Sequence, residues 1–352
     1  MKEIDLQLLS QIVKIPGAPG FEEKIRNFLI AEIAPLVDDF YVDNIGNLVA
    51  VKKSKVENAP KLMLSAHMDE IGFIVTHIDE QGFLRFHTLG GFDPKTLTAQ
   101  RVIVHGKKDL VGVMGSKPIH VMSPEERNAV PKIQDYFIDL GLSKAEVEEF
   151  ISVGDAITRE RELIELGHCV NAKSIDNRIC VYILVELLKH LKGENLPIEV
   201  YAVFTVQEEM GARGAVTATH AINPDFALAL DTTIAYDVPG AKPQEMVTKL
   251  GFGPAIKLLD SSVISDRRMV AFLKQVAENN SIKWQYEILT GGNTDAGPMQ
   301  RSGKNGAIAG AISIPTRHIH QVIESAHKQD VVEAVNLLFE SVKSFNSYNW
   351  AY

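Results

Sequence analysis

The chain of 352 residues contains only two cysteines, Cys169 and Cys180, and they lack the CxxC spacing of thiolate metal sites and redox motifs. We therefore expect both thiols to be reduced and structural. No apolar run approaches the ~18 residues that a membrane-spanning helix needs. Met1–Leu6 begins a polar helix instead of an apolar signal core, which favours the cytoplasm.

Basic residues are in the minority, and the formal net charge is −9. A nucleic-acid-binding surface would need a clustered basic face, so we expect neither nucleic acid nor a membrane among the partners. What the chain does contain is an ordinary share of apolar residues, 45%. At this length, that composition predicts a globular protein of two domains.

The apolar residues change their pattern twice along the chain. Residues 1–70 and 166–352 alternate helical periods with apolar strands, which is typical of an α/β domain. Residues 71–165 contain short strands joined by Gly and Asp turns, which predicts an inserted β-barrel or sandwich. Within this insert we predict a helix over Lys132–Leu140 and a capping box at Ser143–Glu146.

Histidine or acidic side chains follow the ends of several predicted strands. Open α/β sheets bind ligands at the carboxyl ends of their strands, so these side chains are candidates for one common site. Each alone is more often a turn residue or a helix cap, but five such positions together indicate a site. The five are His67, Glu209, Asp231 and His320 after strands, and Asp176 before a helix.

Two imidazoles and three carboxylates are a ligand set that suits zinc, cobalt or manganese. Five ligands exceed what one catalytic zinc takes from a protein, whereas a carboxylate that bridges two ions ~3.5–4 Å apart accounts for the number. Asp176 is the candidate bridge, because the following helix N-terminus favours negative charge. A water between the ions would become a hydroxide nucleophile near neutral pH.

Two further acids are candidates for supporting roles. Glu208 precedes Glu209, and successive side chains after a strand point apart, so Glu208 is free to act as the general base. Asp69 follows His67 by two residues and is a candidate acceptor for the imidazole N–H.

These residues lie in motifs that resemble the tetrahedral aminopeptidases, a family of cocatalytic-metal exopeptidases often labelled glutamyl or deblocking aminopeptidases. The motifs occur in family order along almost the whole chain. They are Ser65-Ala-His67-Met-Asp69-Glu70-Ile-Gly, Val113-Met-Gly-Ser-Lys-Pro-Ile-His120, Asp176-Asn-Arg178, Phe204-Thr-Val-Gln-Glu208-Glu209, Leu230-Asp231-Thr-Thr, Gly292-Asn-Thr-Asp295-Ala and Ile314-Pro-Thr-Arg317-His318-Ile-His320.

The resemblance implies a mixed-sheet α/β zinc-exopeptidase (phosphorylase/hydrolase-like) catalytic domain with an inserted PDZ-like β-barrel domain used for dimerisation. It also implies short peptide substrates, two divalent ions per subunit (zinc or cobalt), and dimers that assemble into a dodecamer. By position, one ion takes His67, Asp176 and Asp231, and the other takes Asp176, Glu209 and His320.

The resemblance also gives Glu208 as the general base and Asp69 as the acid behind the first histidine. Two positions depart from it. The family usually has Tyr where His318 stands; on a strand-like segment His318 and His320 would face the same way, and the motif register selects His320. Asn293 replaces a common Gly in a turn that we expect, with Thr294 and Asp295, to line the substrate pocket.

The leading hypothesis is a metallo-aminopeptidase that uses a metal-bridged hydroxide and Glu208. The alternatives are a metal-dependent deacylase of acylamino acids, a metal-independent endoglucanase-type glycosidase, and a non-catalytic scaffold. The preferred N-terminal residue stays open. Lys249, Arg267 and Arg268 could line a pocket for an acidic residue, but surface placement is the simpler interpretation of each.

Overall fold

The computed structural model describes residues 1–351. The α-helices are α1 Leu6–Lys14, α2 Glu23–Ile33, α3 Pro124–Asn128, α4 Lys144–Phe150, α5 Ile175–His190, α6 Arg213–Ile222, α7 Arg267–Asn279, α8 Ala296–Arg301 and α9 Lys328–Ser344. Short 3₁₀ turns cover Pro94–Thr96, Ile119–Val121, Ile133–Asp135, Pro243–Glu245 and Phe345–Ser347. None of the helices in this part of the chain has the length and apolar character to cross a bilayer.

The strands alternate with these helices at both ends of the chain and follow one another closely in the middle. They are β1 Asp39–Val42, β2 Leu48–Lys52, β3 Lys61–His67, β4 Gly72–Ile78, β5 Leu84–Leu89, β6 Arg101–His105, β7 Asp109–Gly115, β8 Phe137–Asp139, β9 Ala156–Arg159, β10 Ile164–Leu166, β11 Cys169–Ala172, β12 Glu199–Thr205, β13 Phe226–Ile234, β14 Ala255–Leu259, β15 Gln285–Ile288, β16 Ile308–Arg317 and β17 Glu324–His327.

Eleven strands form one mixed sheet with the order β1-β2-β12-β3-β13-β16-β17-β11-β10, and β14 and β15 extend it beside β16. The central neighbours β12, β3, β13 and β16 run parallel, whereas β2 and β17 flank them antiparallel. Parallel strands place their carboxyl ends at one edge of the sheet. Thr205 is paired with His67, so β12 and β3 end level with each other.

Helices cover both faces of this sheet. Leu62 and Leu64 of β3 belong to the core formed with α1, α2, α5, α7 and α9, while the intervening Met63 belongs to the core formed with α6 and α8. This split follows from the alternation of side chains along a strand. Strands buried on both faces read as continuous apolar runs, which is why these strands were recognisable in the sequence.

The middle of the chain forms a closed antiparallel barrel with the strand order β4-β5-β8-β7-β6-β9. Its interior is filled by its own apolar core, in which Phe73, Val102, Met114 and Ile157 are almost completely buried. The prediction of a mixed-sheet α/β fold with a separate β-barrel is confirmed. The capping box of Ser143 and Glu146 is present at the start of α4.

The predicted helix over Lys132–Leu140 is wrong. Only a 3₁₀ turn forms there, and it is followed by β8, which pairs with β5 and β7 and closes the barrel. Ile138 is fully buried between half-exposed Phe137 and exposed Asp139, so the alternation of a strand outweighs the helical propensity of the segment.

The division of the chain into separate domains stays a proposal. The barrel strands lie between Gly72 and Arg159, within the proposed insert of residues 71–165. The next strand, β10, already pairs with β11 of the large sheet. We keep residues 1–70 and 166–352 as the proposed catalytic domain.

Candidate metal centre

Three strands bring candidate ligands to one edge of the sheet. His67 is the last residue of β3, Glu208 and Glu209 follow β12 in a turn, and Asp231 lies near the end of β13. Because β12, β3 and β13 are parallel neighbours, these side chains converge as the sequence predicts. His67 and Asp231 are buried, each with less than a tenth of its surface exposed.

Asp176 and His320 reach the same edge from irregular backbone. Asp176 has non-helical dihedral angles inside the first turn of α5, and its peptide bond to Asn177 is cis. His320 lies in the turn between β16 and β17 with φ +58°, in the left-handed region that few non-glycine residues adopt. Left-handed backbone at a residue other than glycine is common at functional sites, where surrounding contacts maintain it.

The carboxylate of Asp176 lies between the two imidazoles. Its Oδ1 atom is 3.4 Å from Nε2 of His67, and its Oδ2 atom is 3.2 Å from Nε2 of His320. Nε2 of His67 is also 3.6 Å from Oδ1 of Asp231, and Nε2 of His320 is 3.4 Å from Oε1 of Glu209. The five residues therefore form two groups of three that share Asp176.

The candidate ligand atoms lie close together, and two of the carboxylate oxygens among them lack a hydrogen-bond partner in the described part of the chain. Ligand atoms of His67, Asp176 and Glu209, which come from both groups, all lie within 4.8 Å of one another, so the two groups border one common space. Oδ1 of Asp176 and Oε1 of Glu209 are buried without a hydrogen-bond partner. Such atoms are costly to bury unless a cation or a donor reaches them.

The charges in the site point to the same conclusion. Within residues 1–351, the ion pairs of Asp176, Asp231, Glu208 and Glu209 involve only the two imidazoles and no Lys or Arg side chain. Burial, with the neighbouring carboxylates, raises the pKa of Asp231 to about 7. Although burial opposes it, the charge of Glu209 and the carboxylate of Asp176 raise the pKa of His320 to about 11. A divalent cation would relieve this excess of negative charge.

Glu208 lies beside both groups and belongs to neither. Its Oε2 atom is 4.0 Å from Nε2 of His67, and its Oε1 atom accepts a hydrogen bond of 2.9 Å from Nδ2 of Asn293. Burial raises the pKa of Glu208 well above its ordinary value, and the charges of Asp231 and Glu209 add to the increase. A raised pKa suits a general base that must later give its proton away.

Asp69 has a further contact that the sequence did not reveal. Its two carboxylate oxygens accept the backbone amides of Glu208 and Glu209, both at 3.0 Å. Nδ1 of His67 lies 3.1 Å from the backbone carbonyl of Asp69 and 3.4 Å from its carboxylate. Asp69 therefore connects the imidazole of His67 to the turn that carries the glutamate pair.

Comparisons with known proteins identify the family of this chain. A family model described as M42 glutamyl aminopeptidase matches residues 46–337. The chain belongs to the M42 peptidase family. It is thus a peptidase, a hydrolase of a metal-dependent family.

Relatives of this M42 peptidase match it over nearly its whole length. The lysyl aminopeptidase of Pyrococcus furiosus is 34% identical over 97% of this chain and 98% of its own length. The TET aminopeptidase of a marine sediment archaeon, Thaumarchaeota archaeon SCGC AB-539-E09, is 36% identical with a TM-score of 0.92, covering 96% of this chain and 95% of that chain. The TET1 peptidase of Pyrococcus horikoshii is 34% identical to this chain with a TM-score of 0.86, and the match covers 96% of this chain and 98% of that chain. That peptidase is described as able to assemble into a tetrahedron or a large octahedral shell.

The five candidate ligands of the M42 peptidase line a cavity. Asn293 and Thr294 line it, whereas Asp295 is buried behind them and accepts a hydrogen bond of 2.6 Å from the hydroxyl of Thr205. The hydroxyl of Thr294 donates to Asp260 at 3.0 Å. Asn293 and Thr294 therefore line the cavity, whereas Asp295 lies behind it and contacts Thr205.

The two neighbouring histidines do not face the same way, because the segment is not a strand at that point. β16 ends at Arg317, and His318 begins a turn in which it is exposed, while His320 reaches Asp176. The expectation of a strand-like segment is corrected. The left-handed backbone at both histidines turns their side chains apart.

The basic residues considered for the substrate pocket lie elsewhere. Lys249 and Arg267 are exposed, and Arg268 bonds Asp266 at the start of α7. The basic side chain that lines the cavity is Lys257, which is almost fully buried and 2.6 Å from Oε1 of Glu287. Sequence reasoning missed Lys257, although a lysine inside the apolar strand β14 is the signal that could have found it.

Proposed function

We propose that this M42 peptidase is a dinuclear-metal aminopeptidase that removes N-terminal residues from short peptides, with two zinc or cobalt ions per subunit. One group, of His67, Asp176 and Asp231, would hold one ion, and Asp176, Glu209 and His320 would hold the other. The observation that carries this proposal is the carboxylate of Asp176, whose two oxygens face different imidazoles.

When bound, the two ions supply positive charge that activates a water molecule and polarises the scissile carbonyl group. Glu208 accepts the proton of that water and transfers it to the departing amine. Asn293 donates to one oxygen of Glu208 and leaves the other directed towards His67. Asp69 holds Glu208 and Glu209 in place through their backbone amides.

The cavity beside these residues would receive the N-terminal residue of the peptide. Its free amine would be held by acidic side chains near the ions, and Asn293 and Thr294 would contact the substrate. Asp295 supports this turn from behind through its bond to Thr205. The preference for acidic, basic or apolar N-terminal residues stays open, since the family description names a glutamyl enzyme and the Pyrococcus relative is a lysyl enzyme.

Chelation tests this function against its alternatives. We expect a panel of aminoacyl amides to be hydrolysed in the presence of zinc or cobalt, to be spared after treatment with a chelator, and to be hydrolysed again when metal is restored. N-acetylated versions of the same amides should not be cleaved, because they lack the free amine.

Each other outcome supports an alternative. Cleavage of N-acyl amino acids but not of amides would indicate the deacylase, and hydrolysis of β-glucan that survives chelation would indicate a two-carboxylate glycosidase. An absence of turnover on every one of these substrates, with or without metal, would indicate the non-catalytic scaffold. Hydrolysis of free-amine amides that is indifferent to chelation would contradict the metal mechanism.

We also propose that the protein self-associates through its barrel, up to a dodecamer, and that it acts in the cytoplasm. Apolar side chains are exposed on β7 and in the segment after it, among them Val111, Val113 and Val121, each more than two-fifths exposed. Exposed apolar residues that cluster are typical of protein–protein contacts. Both cysteines are unpaired, which suits a reducing compartment.

Charge on β7 should break this self-association. We expect Val111→Asp combined with Val113→Asp to lower the mass measured by light scattering on a sizing column, because a carboxylate buried in an apolar contact is costly. Val153→Asp is the control and should keep the native mass. Val153 is also exposed, but it lies in the loop between α4 and β9 and not on β7. An unchanged mass in the double variant would exclude β7 from the contact.

A further inference from the structure

Glu324, the first residue of β17, is completely buried next to the proposed metal ligands. Its Oε2 atom accepts the backbone amide of Asp176 at 2.9 Å, and its Oε1 atom accepts the backbone amide of His320 at 3.2 Å. One carboxylate thus fixes the backbone of two ligands that are distant in sequence. Both belong to the same group of three, which Glu209 completes.

The charge of Glu324 is balanced from the barrel. Among residues 1–351, its one ion-pair partner is Arg159, the last residue of β9, whose Nη1 atom lies 3.5 Å from Oε1 of Glu324. The same nitrogen donates to the backbone carbonyl of Gln321. Arg159 therefore contacts the turn after His320 at two points, a backbone carbonyl and a carboxylate that itself holds the turn.

In the part of the chain that the structure describes, no lysine and no second arginine forms an ion pair with Glu324. The buried Lys173 lies instead 2.6 Å from Oε1 of Glu70 and pairs with it. Nη2 of Arg159 lies 3.9 Å from Oε2 of Glu70, a weaker contact. A carboxylate that is buried without a cation is costly, so loss of Arg159 would favour movement of Glu324 away from the two amides that it accepts.

We propose that Arg159 and Glu324 are positioning residues of the metal centre: Arg159, which belongs to the barrel, holds Glu324, and Glu324 holds Asp176 and His320. The barrel then determines how tightly the ion of Asp176, Glu209 and His320 is bound, in addition to any role in self-association. The inference rests on the proposed function, since it takes these residues as ligands. Outer partners that orient metal ligands typically contribute about 10–100-fold to metal affinity.

The test compares metal binding by the unmodified full-length protein with metal binding by Arg159→Met. Methionine approaches the length of the arginine side chain but carries no charge. Cobalt(II) is titrated into the metal-free protein under competition with a chelator, and the two dissociation constants and the visible spectrum are recorded. We expect the affinity of the ion of Asp176, Glu209 and His320 to fall about 10–100-fold. The other ion, which shares only Asp176 with that group, should be weakened less. Arg159→Lys should restore part of the loss, because an ammonium group returns the positive charge but lacks the planar shape and the several N–H donors of the guanidinium group.

Arg101→Met is the matched control, because Arg101 lies on the neighbouring strand β6 and pairs with Glu160 at the surface. It should bind both ions as the unmodified protein does. Glu324→Gln provides an independent route if Arg159→Met does not fold, and it should weaken the same ion, since an amide has one acceptor oxygen for two backbone amides. Thermal unfolding of each metal-free variant identifies the variants that fold.

The outcomes separate the inference from the function it rests on. If the unmodified protein binds no pair of ions, the proposed dinuclear function fails, whatever the variants do. If it binds two ions, and folded Arg159 and Glu324 variants keep both affinities, the positioning roles are overturned and the function stands. Equal weakening of both ions would also overturn the inference, because Glu324 holds two ligands of one ion and only the shared Asp176 of the other.

Discussion

Replacement of Glu208 by Gln is expected to lower kcat about 10²–10⁴-fold, the range of a lost general base, while the metal content stays at the native value. The amide has nearly the same shape, and its oxygen can still accept from Asn293, so the cavity should be preserved. What is lost is the ability to accept a proton. The measurement is kcat on an aminoacyl amide together with metal content by mass spectrometry.

Two other glutamates make this result specific. Glu209→Gln should lose one ion as well as turnover, because Glu209 is a proposed ligand and its Oε1 atom faces His320. Glu57→Gln, in an exposed loop, should keep both activity and metal. Native turnover in Glu208→Gln would show that another group moves the proton.

Replacement of Asp176 by Asn is expected to remove both ions and reduce turnover to background. Asp176 is the residue shared by the two groups, and an amide has only one oxygen and no negative charge to offer to two cations. Asp231→Asn and Glu209→Gln should each lose one ion, since each belongs to one group. The measurement is metal content after dialysis against a fixed concentration of free metal.

Asn223→Asp serves as the control for a change between Asn and Asp, because Asn223 follows α6 at the edge of the sheet where β3 and β13 begin, opposite the edge that carries the candidate ligands. It should leave the metal content unchanged. Retention of one tightly held ion by Asp176→Asn would mean that Asp176 belongs to a single metal site and does not bridge two.

Much of the fold was predictable because the local pattern and the packing agree. Strands β3, β12 and β13 are buried on both faces, so each contains a continuous apolar run. In β3 and β12 a polar residue ends the strand, whereas in β13 Asp231 follows the apolar run and the strand continues to Ile234. Their parallel pairing then brings His67, Glu208, Glu209 and Asp231 to one edge of the sheet. The convergence of these side chains was therefore predictable from the strands alone, without the conformation of the connecting loops.

The errors fall where tertiary contacts outweigh the local pattern. β8 has only three residues, too few to show a period, and its pairing with β5 and β7 determines it. The turn that separates His318 from His320 depends on left-handed backbone at both residues. Neither feature follows from the sequence alone.

The contacts that support the site were also hidden from sequence reasoning. Arg159 and Glu324 are 165 positions apart and belong to the barrel and the sheet, so no spacing indicates their contact. The same holds for the bond of Asn293 to Glu208, which joins two segments through the cavity wall. Sequence motifs identified the candidate ligands, whereas the structure identified the residues that orient them.

The central claim is that Asp176 lies between two metal ions, and anomalous diffraction from crystals of the zinc-loaded protein tests it most directly. We predict two anomalous peaks ~3.5–4 Å apart, one on each side of the Asp176 carboxylate. One peak should be next to His67 and Asp231, and the other next to Glu209 and His320. A single peak at full zinc occupancy, or two peaks that Asp176 does not separate, would contradict the account.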